Sequence, residues 1–432
     1  MVLSEQNGLL IATMAQRDKS QTDIVVVGAG IVGLSTAFLL QQQGYGVVVL
    51  DRKGPVAEAS RGNAGAFAFS DIIPLATPDI VRKSPKWLFD PLGPLSIPPR
   101  HALKMAPWML RFLLASRPRK LERGIRAQTE LMGLSKRALL PFLKKTGTGD
   151  MLRHKGNLQV YESRSEFEES LPFWDARARC DIPFEHIHGA YVISDIQPGL
   201  HKRFVAATLT PEWYSIADPL DYALAIADTF RQRGGRIEIA EAKSISVDAR
   251  GTTVECIGGQ TVSAAKTIVC AGAWSHRLAR TMGDRIPLET ERGYNTTLPD
   301  AQFDLRMQIT FAGHGFVVSR LSSGIRVGGA VEFGGLTAPP DFRRADLLLA
   351  KAKAFLPDLE IEGGTQWMGF RPSLPDSLPV IGASRRSKNV LYAFGHGHLG
   401  LTQSAGTAEL ICQLVTGDNP SIDLHPFRAN RF

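Results

Sequence analysis

The chain opens its periodic part with an unbroken apolar run, Ile24-Val25-Val26-Val27, that passes directly into Gly28-Ala29-Gly30-Ile31-Val32-Gly33. Four apolar residues with no polar alternation predict a strand covered on both faces, as in a parallel sheet. The small and apolar residues that follow predict a helix ending at the Gly44-Tyr45-Gly46 turn. A second apolar run, Val47-Val48-Val49-Leu50, ends on Asp51. The pattern is therefore strand, glycine turn, helix, turn, strand, acid.

Further along, the pattern alternates between helical and extended segments. Pro91, Pro94, Pro98 and Pro99 predict a non-helical stretch ahead of a helix over about Pro107 to Ala115. Asp218-Pro219 supplies an N-cap acid and a proline at the first helical position, so a helix is expected from there to Gly234-Gly235. Strands are expected over 236–239, 244–248, 253–257 and 266–270, the last entering Ala271-Gly272-Ala273-Trp274. Residues 276 to about 364 read as β-rich, with 315–319 and 324–333 as candidate strands. Val390 to Phe394 predicts a strand that leads through Gly395-His396-Gly397-His398-Leu399-Gly400-Leu401-Thr402 into a helix to about Thr416. The fold class is α/β with two domains: a Rossmann-like dinucleotide-binding domain, and a substrate domain with a mixed or antiparallel sheet, interleaved in sequence. The expected division gives 23–80, 200–275 and 365–432 to the first domain, and 81–199 and 276–364 to the second. Residues 1–22 are read as a disordered leader.

Composition changes this picture in one place. With 432 residues, 44% hydrophobic and 21% charged, the chain has ample core and an ordinary globular balance. The four cysteines show neither CxxC nor metal-ligand spacing, so a reduced, cytoplasmic protein without a metal site is expected. No apolar run reaches the length of about 20 residues that a spanning helix needs. The net charge of +8, however, is carried by one segment: Val81 to Arg126 holds eleven lysines and arginines against Asp90 and Glu122. Trp87-Leu88-Phe89, Trp108-Met109-Leu110 and Phe112-Leu113-Leu114 interleave with these cations. That mixture suits peripheral contact of residues 85–120 with an anionic inner-membrane leaflet, and equally a basic helix lying on a core. No nucleic-acid-binding motif accompanies it.

The candidate chemistry sits at the two glycine-rich turns. In the first, Gly28 allows the tight turn, Gly30 lets backbone approach a pyrophosphate, and Gly33 lets the helix lie close on the sheet. The amides of Ala29, Ile31 and Val32 lie at the positive end of the helix, where phosphates bind. Asp51, eighteen residues after Gly33, is placed for ribose hydroxyls, which favours FAD or NAD over NADP. In the second, a helix beginning at Gly400 aims its own N-terminus at a ligand, where it can stabilise developing negative charge. Between them, Arg371 stands between Phe370 and Pro372 in a proline-rich stretch, suited to bidentate capture of a carboxylate.

Taken together, these pieces resemble the FAD-dependent D-amino-acid oxidase superfamily, most closely its bacterial D-amino-acid and hydroxy-D-proline dehydrogenases. The matching stretches are Gly28 to Asp51, Ala59-Ser60-Arg61-Gly62-Asn63-Ala64-Gly65, Arg292-Gly293-Tyr294, Gly328 to Glu332, Gly369 to Pro372, and Gly395 to Thr402. The resemblance implies FAD lying extended, its adenine end at Gly28 to Arg52. Ser60, Asn63, Ala64 and Gly65 would meet the pyrophosphate and flavin. Ala271, Gly272 and Trp274 would lie at the cofactor's back, and Gly397, Leu399, Gly400, Leu401 and Thr402 at its pyrimidine edge. It further implies that Arg371 clamps the carboxylate of an amino-acid substrate, that the His398 carbonyl accepts from its amine, and that Tyr294 belongs to the active site. The implied reaction is hydride transfer from Cα to flavin N5; the apolar basic segment after Val81 favours electrons passing to a quinone or other acceptor. An oxygen-using glycine- or sarcosine-type oxidase is the alternative. The rings of His396 and His398 read as structural, His314 as a residue that could face the pocket, and Glu332 as an ordinary sheet acid. Outside the resemblance, an NAD-dependent dehydrogenase would share residues 24–51 but not need the second turn. A flavin-binding protein without activity would have no use for Arg371.

Overall fold

The computed structural model describes residues 22–80 and 95–432; the leader and the first part of the basic segment, including Trp87-Leu88-Phe89, lie outside the described residues. The apolar runs form a six-stranded sheet ordered 236–239, 47–51, 24–27, 266–269, 390–394, 380–383. All neighbours are parallel except the last pair. Ile24 to Val27 are fully buried because helices cover one face and a three-stranded sheet (242–248, 251–256, 261–264) lies over the other. The strand order reverses at Ile24–Val27, with Val47–Asp51 parallel to it on one flank and Lys266–Val269 parallel to it on the other. A doubly wound sheet opens a crevice at the carboxyl ends of its strands at such a point. The helix Ile31–Gln42 leaves this edge, and Gly400–Thr416 packs against it and against the long helix Pro118–Thr146.

The larger sheet has nine strands, antiparallel apart from two parallel pairs, and is thus mixed, within the fold class expected. At one edge it runs Thr365–Ser373, Glu289–Leu298 and Gly324–Glu332, in that order. Here the expected domain limits need correction. Thr365–Ser373 pairs along its whole length with Glu289–Leu298, and Ala206–Thr210 pairs with Asn157–Tyr161, so both belong to the larger sheet. Pro118–Thr146 goes the other way: its buried face (Leu131, Leu134, Phe142) joins the core around Phe38 and Leu410. Hydrophobic periodicity marks which face is buried but not the partner that buries it.

The helix expected from Pro107 begins earlier, at Pro99, because Pro98 and Pro99 are accommodated at its N-terminus and Pro107 within it. Its inner face buries Met105, Trp108 and Phe112 against Ala76 and Phe333. Its outer face presents Leu103, 89% exposed, with Leu110 and Leu113 at 58% and 49%. No helix among the described residues is long and apolar enough to cross a membrane. The helix from Asp218 runs as expected over Pro219–Gln232, with the Asp218 carboxylate accepting from the Leu220 amide at 2.8 Å.

Candidate active site

A cavity of about 740 Å³ runs between the two sheets from Asp51 and Arg52, past Gly28 and Gly30, to Gly395–Thr402 and Arg371. Its size is in the range of small-molecule and cofactor sites, roughly 300–1,000 Å³. The first turn closes on itself. Gly28 has φ +112°, and a Cβ there would lie 2.3 Å from the Cys270 carbonyl oxygen. A Cβ on Gly33 would lie 1.9 Å from the Gly28 oxygen. No side chain of the turn caps the helix; the hydroxyl of Ser60, from a separate loop, accepts from the Ile31 amide at 3.0 Å. Ser60 therefore already occupies the helix end where phosphate oxygens are expected. Asp51 is oriented by three amides, those of Ala29 (2.8 Å), Lys53 (2.9 Å) and Gly54 (3.1 Å). A carboxylate with about four lone-pair positions retains capacity for a hydroxyl after three such bonds. At the same end the Arg52 guanidinium lies 3.7 Å over the Trp274 ring and pairs with Glu58.

The Ser60 loop is tied to the larger sheet. The Asn63 side chain folds back to accept from the Gly65 amide at 2.8 Å, where Gly65 has φ +76°. The buried Arg326 donates to the Asn63 carbonyl at 2.6 Å, and Asn295 donates to the Gly62 carbonyl at 3.0 Å. Arg326 and Asn295 were not singled out by sequence, because an arginine within an apolar strand carries no local sign of the loop it will hold. The second turn is open. The helix Gly400–Thr416 has no side-chain cap, nothing lies within 4 Å of a Cβ built on Gly397, and the nearest neighbour for Gly400 is 3.7 Å away. Thr402 also lines the cavity, although its hydroxyl accepts from the Ala68 amide at 3.0 Å. Ala64, Ala271, Gly272, Leu399 and Leu401 line the cavity as well.

Arg371 is positioned by three neighbouring strands. Adjacent residues of a strand face opposite ways, so Glu291, Gly293 and Asn295 share one face with Arg371, Gly369 and Trp367. The Arg371 side chain crosses Gly293, where a Cβ would come within 2.2 Å of the guanidinium, and donates to the Ala330 carbonyl at 3.0 Å. Ala330 has φ +58° at a bulge between 324–332 and 289–298, and the bulge turns that carbonyl toward the arginine. Its partners are carbonyls, so among the described residues no ion pair neutralises Arg371. Burial pulls its pKa down, while the charge of Glu291 pulls the other way. Gly62 and Gly369 leave room for the Trp367 ring, with Cβ positions 2.0 and 1.9 Å from it. Trp367 thus lines the cavity next to Arg371, a role sequence reading missed because the glycines that admit it are far apart in the chain.

Four expectations change. Tyr294 lies on the opposite face from Gly293: its hydroxyl donates to Glu332 at 2.6 Å and accepts from the Asp341 amide at 3.1 Å. Burial, with the Glu332 hydrogen bond, pushes its pKa up to about 12. Its ring packs on Phe342 and its hydroxyl is spent within the substrate-domain core, although the residue still forms part of the cavity wall. Glu332 is accordingly no ordinary surface acid, being buried and also bonded to Arg292 at 3.2 Å. His314 pairs with Glu162 at 3.1 Å, stacks on Phe355, and is not part of the cavity wall. His396 is structural as expected: its ring meets Thr407 at 3.0 Å, and burial drives its pKa to about 3. His398 is not structural in that sense, since its ring lines the cavity and meets Asp71 at 3.0 Å.

A doubly wound sheet, a phosphate-type turn with a ribose-type acid, and a second helix end beside a free guanidinium define a dinucleotide-dependent oxidoreductase. The particular family follows from residues 23–414, which match the DAO model of FAD dependent oxidoreductases, and the chain belongs to that family. FAD is its cofactor, and the open second turn fits the flavin end of that group. The chain is 32% identical to a D-amino-acid oxidase of Bradyrhizobium diazoefficiens, over 95% of its own length and 98% of that protein's. It is 31% identical to a D-amino acid dehydrogenase of Rhizobium johnstonii, over 95% and 99% of the two chains. Among solved structures, glycine oxidase from Geobacillus kaustophilus superposes with a TM-score of 0.75 at 19% identity, covering 95% of this chain and 99% of that one. L-proline dehydrogenase from P. horikoshii gives 0.72 at 17%, covering 95% and 98%.

Proposed function

We propose that the protein is an FAD-dependent D-amino-acid dehydrogenase that converts a D-amino acid to its imino acid and passes the electrons to a quinone or other acceptor. The observation that carries the reading is Arg371: a guanidinium without an ion pair among the described residues, facing the cavity and held from behind by the Ala330 and Gly329 carbonyls. A substrate carboxylate completes its charge, and bidentate pairing fixes the rest of the substrate in space. Trp367, beside it, excludes water and bounds the side-chain pocket. The bound flavin supplies the acceptor for the Cα hydride. The amides of Gly400, Leu401 and Thr402 at the open helix end favour negative charge gathering nearby. The two bacterial relatives support an amino-acid substrate. Cyclic substrates such as D-proline or hydroxy-D-proline are a narrower form of the proposal.

The test is anaerobic mixing of the FAD-loaded protein with D- and L-amino acids. Bleaching of the flavin absorbance by D-amino acids supports the reading; bleaching by none of them sinks it. Reoxidation then separates acceptors, since a dehydrogenase reduces a quinone or dye and an oxidase releases peroxide in step with turnover. The oxidase alternative is favoured by the name of the Bradyrhizobium relative. Peripheral membrane contact is part of the dehydrogenase proposal. Leu103, Leu110 and Leu113 stand out from the helix Pro99–Ala115 beside Lys104 and Arg111, which suits an anionic leaflet. Co-sedimentation with anionic vesicles at low salt supports it, and its absence there removes that part.

A further inference from the structure

We propose that His398 and Asp71 form a proton-accepting pair that takes a proton from the substrate's ammonium group. The inference rests on the amino-acid reading above. It starts from geometry: both residues line the cavity that Arg371 faces, and His398 Nε2 stands 3.0 Å from Asp71 Oδ2. An ionised Asp71 accepts from Nε2–H, which fixes the tautomer and leaves the Nδ1 lone pair free. Nδ1 has no protein partner among the described residues, and the side chain is 39% exposed.

Asp71 is itself held in place. Its second oxygen faces Arg177 at 3.8 Å. Arg177 lies over the Trp174 ring and donates through Nε to the Ser70 carbonyl at 2.8 Å. The arrangement of acid, imidazole and open nitrogen is that of a general base with its orienting carboxylate. An amino acid reaches the site with its nitrogen protonated, and hydride can leave Cα only when that nitrogen has a lone pair to form C=N. In the step assigned here an N–H bond of the ammonium breaks, its electron pair stays on nitrogen, and a bond forms from the proton to Nδ1. The Cα hydride then leaves for the flavin with its electron pair, and the nitrogen lone pair closes the iminium. Two electrons are transferred, and the proton stays on His398 until solvent removes it.

The charged groups facing His398 are Asp71, Glu291 and Arg371. Burial pulls its pKa down, but the hydrogen bond and charge of Asp71, with Glu291, outweigh burial and Arg371 and hold it above the ordinary 6.5. Burial alone would raise Asp71, yet His398 and Arg177 hold its carboxyl below the usual 3.8. A base must be unprotonated to act, so kcat/KM should rise with pH through a limb lying above 6.5. The experiment is the pH profile of flavin reduction by D-alanine and D-proline for wild type, D71N and H398Q. Removing the Asp71 charge should move the limb roughly 1–3 pH units lower. H398Q should lose the limb and fall by about 10²–10⁴-fold near neutrality. Flavin content should stay unchanged in both. In wild type alone, the limb should sit at one pH for both substrates despite their different amine basicities, a measurement that needs no variant to fold. A limb that tracks the substrate amine, or one unmoved by D71N, overturns the pair while leaving the amino-acid reading intact. Failure of every D-amino acid to bleach the flavin at any pH overturns both.

Discussion

The two glycine-rich turns look alike in sequence and differ in what their glycines are for. At Gly28 and Gly33 the protein's own backbone fills the space a side chain would need, so these glycines serve packing of strand, turn and helix. At Gly397 no protein atom comes within 4 Å of an added Cβ, and at Gly400 the nearest is 3.7 Å away, an ordinary contact. There the glycines keep a surface bare, and Gly397 meets only a conformational demand, φ +55°. The first turn is thus built for the fold and the second for what the fold binds. Substitutions at the two turns should separate stability from ligand binding.

The largest effect is expected at the closed turn. Gly28→Ala would set a methyl 2.3 Å from the Cys270 carbonyl at φ +112°. A loss of stability of roughly 3 kcal/mol or more should follow, from overpacking and strain together, read by urea denaturation. Gly397→Ala should cost only about 1–2 kcal/mol, the left-handed conformation being its sole penalty, and should show instead as weakened flavin retention. Equal stability losses at the two positions would erase the distinction drawn here.

Next in size, Arg371→Leu should remove about 2–5 kcal/mol of substrate binding by leaving the carboxylate unpaired, with flavin content unchanged. Steady-state kcat/KM against dye reduction checks it. Gly293→Ala reaches the same guanidinium indirectly, since the added methyl must push Arg371 off the Ala330 carbonyl. An overpacking cost of roughly 1–3 kcal/mol should appear mainly in KM. Tyr294→Phe should spare substrate binding but destabilise the protein by about 1–3 kcal/mol, because Glu332 and the Asp341 amide lose a buried partner. The smallest effect concerns pH. His396 is held near 3 in the folded chain against an ordinary 6.5, so the unfolded chain binds its proton first as pH falls. Its contribution is complete above 6.5 and lost progressively toward 3, and His396→Gln should flatten the acid side of the stability profile between those values.

What could be read from the sequence follows how local each feature is. The strand–turn–helix–strand–acid unit over residues 24–51 is complete within one stretch of chain, so periodicity, glycine spacing and the terminal acid exposed it in full. The helix from Asp218 was equally legible, because its cap and first-turn proline are adjacent in sequence. The proposed carboxylate clamp was legible only in part. Arg371 stands out in its Phe-Arg-Pro setting, but the carbonyls that orient it come from Gly329 and Ala330, and the space it crosses is Gly293. The engagement of the Tyr294 hydroxyl with Glu332 was hidden for a related reason: strand parity turns its side chain to the core face, and parity is fixed only once register with 365–373 and the bulge at Ala330 are known. His398 was read as structural because its partner, Asp71, is 327 positions away in the chain. Non-local pairings of this kind leave no periodic trace.

The most direct test of the account is a crystal structure of the FAD-loaded protein. It should show the pyrophosphate at the Gly28–Gly33 turn beside Ser60, the ribose hydroxyls at Asp51, and the isoalloxazine against Gly397 to Thr402 within reach of a substrate held by Arg371. Density that leaves the Gly397 surface bare, with the ring system directed elsewhere, would contradict it.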